Sequence, residues 1–340
     1  MRIPLVSAFL PDVTQQIHSL RASGVIFSHI ARAAGTEARD FCKSAGMLCI
    51  TPVIISFLAI QLFYQIFALR SKPKKCYSFH IMNIVFVELW YLFIASLRAS
   101  FFGLFLLLIF LLTEFFTVPF ISRYDFIFLA AVGFQACALI FRFESPREFF
   151  VIIIFHILAT GMELFKTNPA IGSWSYPSVG SAIFAIGTIP LFTGFLYSAI
   201  GSYISRAFVF LKLSYERFPA YHHIWILAAL IYLNFFTHHF FYDIRYFLFL
   251  YVFIIFFKTK VHFEVYRKER SMPFLVTVFL TALFVWIAEN IGTFTRVWLY
   301  PSQVEEWHFV SLNKIGSWFL LLILSFALVS IIYRNKLRRG

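Results

Sequence analysis

The chain has 340 residues, 61% of them hydrophobic and only 13% charged, about half the charged share of a soluble domain. That balance excludes a soluble globular protein and predicts an all-α, polytopic transmembrane helix bundle. Its 29 Lys and Arg against 16 Asp and Glu leave a formal charge of +13, but the basic residues fall mostly between apolar runs, where they meet anionic headgroups or set orientation rather than bind nucleic acid.

Residues 1–46 carry Arg2, Arg21, Arg32, Arg39 and Lys43 among Ser, Ala and Gly and lack the apolar core of a secretory signal. They read as a basic cytoplasmic arm. Residues 47–333 form the transmembrane bundle and 334–340 a basic cytoplasmic tail. Apolar runs of bilayer length predict about ten spans: Met47 to Leu69, Phe79 to Ser96, Phe101 to Phe120, Phe126 to Phe141, Phe149 to Phe165, Ile183 to Tyr203, His223 to Phe240, Ile244 to Phe257, Pro273 to Ile291 and Gly316 to Tyr333. With an internal N-terminus the inner segments hold 20 Lys or Arg and the outer loops 9, which places both termini in the cytoplasm. The cluster Arg70, Lys72, Lys74 and Lys75 runs against this rule. The sixth span holds Gly194, Ser198, Gly201 and Ser202, small residues suited to close helix packing.

Two segments echo each other. Glu163-Leu-Phe-Lys-Thr167 leads into Trp174-Ser-Tyr176-Pro177, and Glu289-Asn-Ile-Gly-Thr293 leads into Trp298-Leu-Tyr300-Pro301. Gly-Ser-Trp also occurs twice, ending at Trp174 and at Trp318. Both Glu residues end spans of the same direction, the fifth and the ninth, so a parallel internal repeat is expected. A carboxyl near the end of an apolar helix is partly desolvated and suits proton exchange. Thr167 and Thr293 lie four residues on, on the same face and within bonding reach, and the Trp and Tyr of each loop form a lid or an interfacial belt. Equally, the Glu residues fit simple interhelical hydrogen bonds.

In Asn234-Phe-Phe-Thr-His238-His239-Phe-Phe-Tyr-Asp243 the pairs Asn234 with His238 and His239 with Asp243 are helical i,i+4 neighbours. They read either as metal ligands or as a His–Asp hydrogen bond closing a tight turn, and no metal is assigned. His156, two turns before Glu163, either shuttles a proton or bonds a neighbouring helix. The expectation is that Glu163, Thr167, Glu289, Thr293, His238, His239 and Asp243 converge at one end of the bundle. Arg142, Glu144, Arg147 and Glu148 read as a solvated turn with salt bridges, and Glu88 and Glu114 are expected to face the bundle interior. Cys42, Cys49, Cys76 and Cys137 contain no CxxC pair. Phosphate-binding loops, a dinucleotide fingerprint, GxSxG and HExxH are absent from the sequence, which leaves no cofactor to assign and excludes a single-chain ATP-driven pump.

From about Asp125 to Val329 the chain resembles bacterial integral-membrane domain-of-unknown-function family 817. The likeness rests on Glu163 with Lys166-Thr167, Gly172-Ser-Trp-Ser-Tyr-Pro177, Pro190-Leu-Phe-Thr-Gly-Phe-Leu-Tyr197, Gly201-Ser-Tyr203, Asn234-Phe-Phe-Thr-His-His239, Met272-Pro273, Ala288-Glu-Asn-Ile-Gly-Thr293, Trp298-Leu-Tyr-Pro301 and Lys314-Ile-Gly-Ser-Trp318. That resemblance implies a bacterial inner-membrane fold and no activity. A looser likeness, in Glu, Tyr and Pro spacing alone, is to carotenoid-pathway membrane hydratases and cyclases. Two function classes follow: an intramembrane enzyme on a lipid or isoprenoid with Glu163 and Glu289 as acid and base, or a proton-coupled permease using the same acids. A membrane scaffold is the third. In the enzyme reading Thr167 and Thr293 join Glu163 and Glu289 as catalytic residues, Trp174, Tyr176, Trp298, Tyr300, His156, Asn234, His238, His239 and Asp243 line the substrate pocket, and membrane lipid is the partner.

Overall fold

A computed structural model describes residues 78–265 and 268–334. The predicted arm, the predicted first span, the Arg70–Lys75 cluster and most of the basic tail lie outside the described residues. Among the described residues nine α-helices follow in order: α1 (Ser78–Ala99), α2 (Phe101–Phe115), α3 (Arg123–Ile140), α4 (Pro146–Thr167), α5 (Thr193–Phe210), α6 (Tyr221–Thr237), α7 (Arg245–Phe256), α8 (Phe274–Phe294) and α9 (Asn313–Ser330).

The starts of these helices follow local chemistry. Ser145 caps α4 in a full capping box with Glu148, and Pro146 fills the first helical position, where its missing N–H costs nothing. Ser122 caps α3 by accepting from the Asp125 amide at 3.1 Å. Pro273 closes a strand and α8 begins at the next residue.

The helices sit close to the apolar runs, yet about ten spans are not supported. Among the described residues four helices are long and apolar enough to cross a bilayer: Arg123–Ile140, Glu148–Thr167, Phe274–Phe294 and Asn313–Ser330. A fifth span results if Trp90–Ala99 and Phe101–Phe115, bent by 74° at their break, act as one. The reason is length. Helix α7 has 12 residues, about 18 Å at 1.5 Å per residue, well short of a hydrocarbon core of roughly 30 Å. The predicted sixth span is also broken, since Ala185–Ile186 (β1) and Ile189–Pro190 (β2) pair as a tight antiparallel hairpin before α5 begins. Gly187, at φ 58°, supplies the left-handed residue of that turn.

A second sheet joins Ser214–Glu216 (β3), Lys260–Val265 (β4) and Lys268–Pro273 (β5), antiparallel throughout, in the order β3-β4-β5. Chain direction puts this sheet at the end of the bundle opposite the C-termini of α4 and α8. Lys260-Val-His-Phe-Glu-Val265 alternates polar and apolar side chains, and Val261, Phe263 and Val265 are the buried set. The sheet is tied down by Glu88 of α1, which is buried and accepts from Arg270 Nη2 at 2.6 Å, Arg270 Nε at 3.0 Å and Lys268 Nζ at 3.1 Å. Glu114, by contrast, pairs with Arg123 across the α2–α3 loop at 2.8 Å.

The turn before α4 departs from the fully solvated turn expected, in its two carboxylates. Glu144 and Glu148 are both buried. Glu144 accepts from Gln135 and from Ser202 Oγ (2.7 Å), and Glu148 accepts from Tyr333 at 2.6 Å. Burial demands such partners, and neutral donors supply them more cheaply than buried ions.

Packing follows the small residues. A side chain at Gly201 of α5 would lie 2.7 Å from the Phe155 ring of α4, so glycine there permits the close α4–α5 contact. One core gathers Leu227 and Ile231 of α6, Leu248 and Val252 of α7 and Ile323 and Ala327 of α9; a second surrounds Phe110, Tyr124 and Phe192.

Candidate functional site

Helices α4 and α8 end at the same end of the bundle and each is followed by a loop that folds back. After α4, Gly172 (φ 56°) turns the chain so that the Ser173 amide donates to the Lys166 carbonyl at 2.9 Å. After α8, Arg296 (φ 50°) and the Val297 amide bond to the Gly292 carbonyl at 3.0 Å make a Schellman closure. The returning segments then meet. Ser175 and Leu299 form an antiparallel bridge, exchanging both amide–carbonyl bonds at 2.9 Å. These are the central residues of the two Trp-x-Tyr echoes, so the echoed loops pair with each other.

That pairing delivers each loop's aromatic donors onto a buried carboxylate. Glu163, 3% exposed, accepts from Trp174 Nε1 at 2.8 Å and Tyr176 Oη at 2.8 Å on one oxygen, and from Tyr197 Oη at 2.7 Å on the other. Glu289, 4% exposed, accepts from Tyr300 Oη on one oxygen and from Trp318 Nε1 at 2.7 Å on the other. In each half the carboxylate lies on one helix, a tyrosine donor on the loop, and a further donor within the first two turns of the next helix: Tyr197 in α5, Trp318 in α9. Burial, and after it the Glu163 charge, pushes the Tyr176 phenol well above the usual tyrosine range, and burial followed by the Glu289 charge does the same to Tyr300. Both therefore remain hydroxyl donors.

The halves form one centre. Trp174 and Tyr300 meet edge to face with ring centroids 6.2 Å apart, Tyr197 and Trp318 lie 6.4 Å apart, and the Glu163 charge reaches Tyr300. Lys314 Nζ lies 4.2 Å from the Tyr300 ring and 5.5 Å from that of Trp174, so a cation covers the junction.

Other residues singled out from sequence are placed differently. Neither threonine touches a carboxylate. Thr167 Oγ1 bonds the Glu163 carbonyl at 2.8 Å and Thr188 Oγ1 at 2.6 Å; Thr293 Oγ1 accepts from Trp307 Nε1 at 3.1 Å and donates to the Asn290 carbonyl. Both anchor loops, because an i+4 hydroxyl on a helix meets the backbone carbonyl first. Trp298 packs over Gly292 and edge-on to Phe110 instead of reaching Glu289. His156 stacks edge-on against Phe195, occupies the space left by Gly194, and its buried Nε2 has no hydrogen-bond partner among the described residues. Asn234 and His238 do pair, His238 Nδ1 donating to the Asn234 carbonyl at 2.7 Å. His239 does not meet Asp243. Asp243 instead accepts from Asn234 Nδ2 at 3.1 Å and lies 3.4 Å from Arg245, while His239 Nε2 lies 2.6 Å from Lys166 Nζ. The helix ends at Thr237, which breaks the i,i+4 geometry that the pair needs.

Tyr197, Trp318 and Lys314 were not among the expected site residues. All three lie in segments that carry the family likeness, and the second Gly-Ser-Trp was a further signal for Trp318.

Residues 88–326 match the family described as a protein of unknown function, DUF817. The chain belongs to this family. The matched stretch contains both carboxylates, both bridged loops and all five aromatic donors, so the centre is built from the part of the chain that the family defines. The uncharacterized protein YoaT of Bacillus subtilis (strain 168) is 41% identical over 226 residues, covering 66% of this chain and 84% of that protein. No solved structure matches.

Proposed function

We propose that this DUF817 protein is a multi-pass protein of the bacterial inner membrane with both termini in the cytoplasm, and that it is an intramembrane enzyme acting on a lipid or isoprenoid with Glu163 and Glu289 as its acid and base. The observation that carries this reading is the Ser175–Leu299 bridge, which joins two echoed loops so that two buried carboxylates, each with a tyrosine hydroxyl of its own half, share one centre. Paired acids held by neutral donors can differ in protonation: the protonated one gives its proton to a C=C or ester-like oxygen, and the ionised one takes a proton from carbon or from an attacking water. One proton enters the substrate and one leaves it, so the pair returns to its starting state by exchange through the tyrosines. Thr167 and Thr293 are positioning residues for the loops.

Lipid extracts of a deletion strain are expected to lose or accumulate one lipid class. Wild-type protein restores the pattern, and Glu163→Gln and Glu289→Gln, inserted at normal levels, do not. An unchanged lipid profile on deletion, or full rescue by both Gln variants, overturns the enzyme reading.

The sequence echo that follows α4 and α8, with its two loops bridged at Ser175 and Leu299, favours one alternative, a proton-coupled permease with the exchanging acids at a repeat interface. Solute-dependent proton uptake by proteoliposomes, abolished by either Gln variant, would establish it in place of the enzyme.

A further inference from the structure

Beside the two carboxylates lies a group of cations that the acid–base chemistry does not use. Lys166, in the last turn of α4, is 5% exposed. Its Nζ has Nε2 of His238 at 3.3 Å, Nε2 of His239 at 2.6 Å and the Phe235 ring at 4.4 Å as neighbours. Because His238 Nδ1 bonds a backbone carbonyl, its Nε2 is the acceptor, so the imidazole carries no compensating negative charge. Among the described residues no carboxylate lies within ion-pair distance of Lys166 or Lys314. Asp243, on the turn that follows His238 and His239, is already engaged by Asn234 and Arg245.

Lys314 has the Glu289 charge in its surroundings, and Arg245 has Asp243, but Lys166 is buried among neutral imidazoles, and a buried ammonium without an anion is costly. Glu163, on the same helix, does not relieve it, because its oxygens take tyrosine and tryptophan donors. The group stands at the helix ends, where the turn between α6 and α7 exposes Phe240, Phe241 and Tyr242, with Tyr246 exposed in the first turn of α7, an aromatic belt of the kind found at headgroup depth. One turn deeper, on the Arg245 face of α7, an apolar groove opens between α7, α8 and α9, lined by Phe249, Val252, Phe253, Phe279, Leu280 and Phe319. The Phe249 and Phe319 rings lie 5.9 Å apart in it.

We propose that Lys166, Lys314 and Arg245 form a binding site for the phosphate of an anionic lipid, with His238 and His239 completing its edge and an acyl chain lying in the groove below. The cations supply the charge and the groove supplies the selection for a lipid over a free anion. The site is independent of whether Glu163 and Glu289 carry out chemistry, and binding is read without activity.

The full chain in a neutral detergent is titrated with short-chain phosphatidic acid, with phosphatidylcholine of the same chain length, and with inorganic phosphate, following thermal unfolding and the lipid retained in native mass spectra. Phosphatidic acid is expected to bind and stabilise, and phosphatidylcholine and inorganic phosphate to do so at least about tenfold more weakly. Lys166→Gln and Lys314→Gln should each weaken phosphatidic acid binding by about tenfold, the loss of one charge-assisted contact. Lys314, half-buried, tests the site even if Lys166→Gln fails to fold. Lys212→Gln, whose lysine pairs with exposed Glu264 at the opposite end, should change nothing. Equal binding of phosphatidylcholine overturns the anion site, equal binding of inorganic phosphate overturns the lipid as its source, and binding untouched by both Gln variants overturns these residues as the site.

Discussion

Replacing the two glutamates by glutamine or by alanine should separate sharply, and the hydrogen-bond geometry says by how much. In Glu163→Gln the amide oxygen can take the position that receives Trp174 and Tyr176, while the amide N–H2 faces Tyr197, whose hydroxyl turns from donor to acceptor. In Glu289→Gln the oxygen stays with Trp318, which can only donate, and the N–H2 faces Tyr300. Every partner stays satisfied, so each Gln variant should unfold within about 1 kcal/mol of wild type. Alanine removes the acceptor altogether. A buried donor left unpaired costs about 1–3 kcal/mol, so Glu163→Ala, orphaning three donors, should lose roughly 3 kcal/mol or more. Glu289→Ala, orphaning two, should lose about a third less. Reversible unfolding in detergent, or thermal shift in nanodiscs, gives the order: wild type, then both Gln variants close behind, then Glu289→Ala, then Glu163→Ala. A Gln variant as damaged as its Ala counterpart would refute the donor assignment, because it would mean that the charge itself, rather than its acceptor oxygens, holds the loops.

Gly292→Ala places a methyl within the Trp298 ring, 2.8 Å from Cζ2 and nearer to two other ring carbons; the ring must swing out, costing about 1–3 kcal/mol and loosening Leu299 in the bridge, which a lowered unfolding temperature together with lost Gln-sensitive activity would report. Arg270→Ala strips buried Glu88 of its closest partner and should destabilise the β3-β4-β5 sheet by about 1–3 kcal/mol, discounted because the Arg270 side chain is 42% exposed. Adding Glu88→Gln should recover part of that loss, and a double-mutant cycle showing simple additivity would contradict the pairing.

Much of the helix layout was legible because apolar runs are long and their breaks polar. Spans were overcounted because hydropathy marks burial and does not separate a 12-residue helix such as α7 from a crossing one, and because the β1–β2 hairpin is written in apolar letters with only Gly187 to betray its turn. The Lys260–Val265 strand was readable from its alternation but was hidden by its five-cation surroundings. Within the centre, the echo located both carboxylates and three of their donors. It misplaced the fourth: Trp174 follows Glu163 by 11 residues, whereas Trp298 follows Glu289 by 9. The shorter return drops Trp298 onto Gly292 at the helix end, and Trp318 from α9 fills the vacant donor position. Tyr197 and Lys314 come from helices far along the chain, and long-range partners of that kind leave no periodic mark.

The pairing of the two loops is most directly tested by a cysteine pair, Ser175→Cys with Leu299→Cys, in a chain whose four native cysteines are replaced by serine. A hydrogen-bonded antiparallel pair has Cα atoms about 5.5 Å apart, inside the range that a disulfide spans. Mild oxidation in native membranes is expected to link the two positions nearly completely, while Ser175→Cys with Ser311→Cys stays reduced. A Ser175–Leu299 pair that remains free under the same oxidant would separate the two carboxylates and dissolve the shared centre.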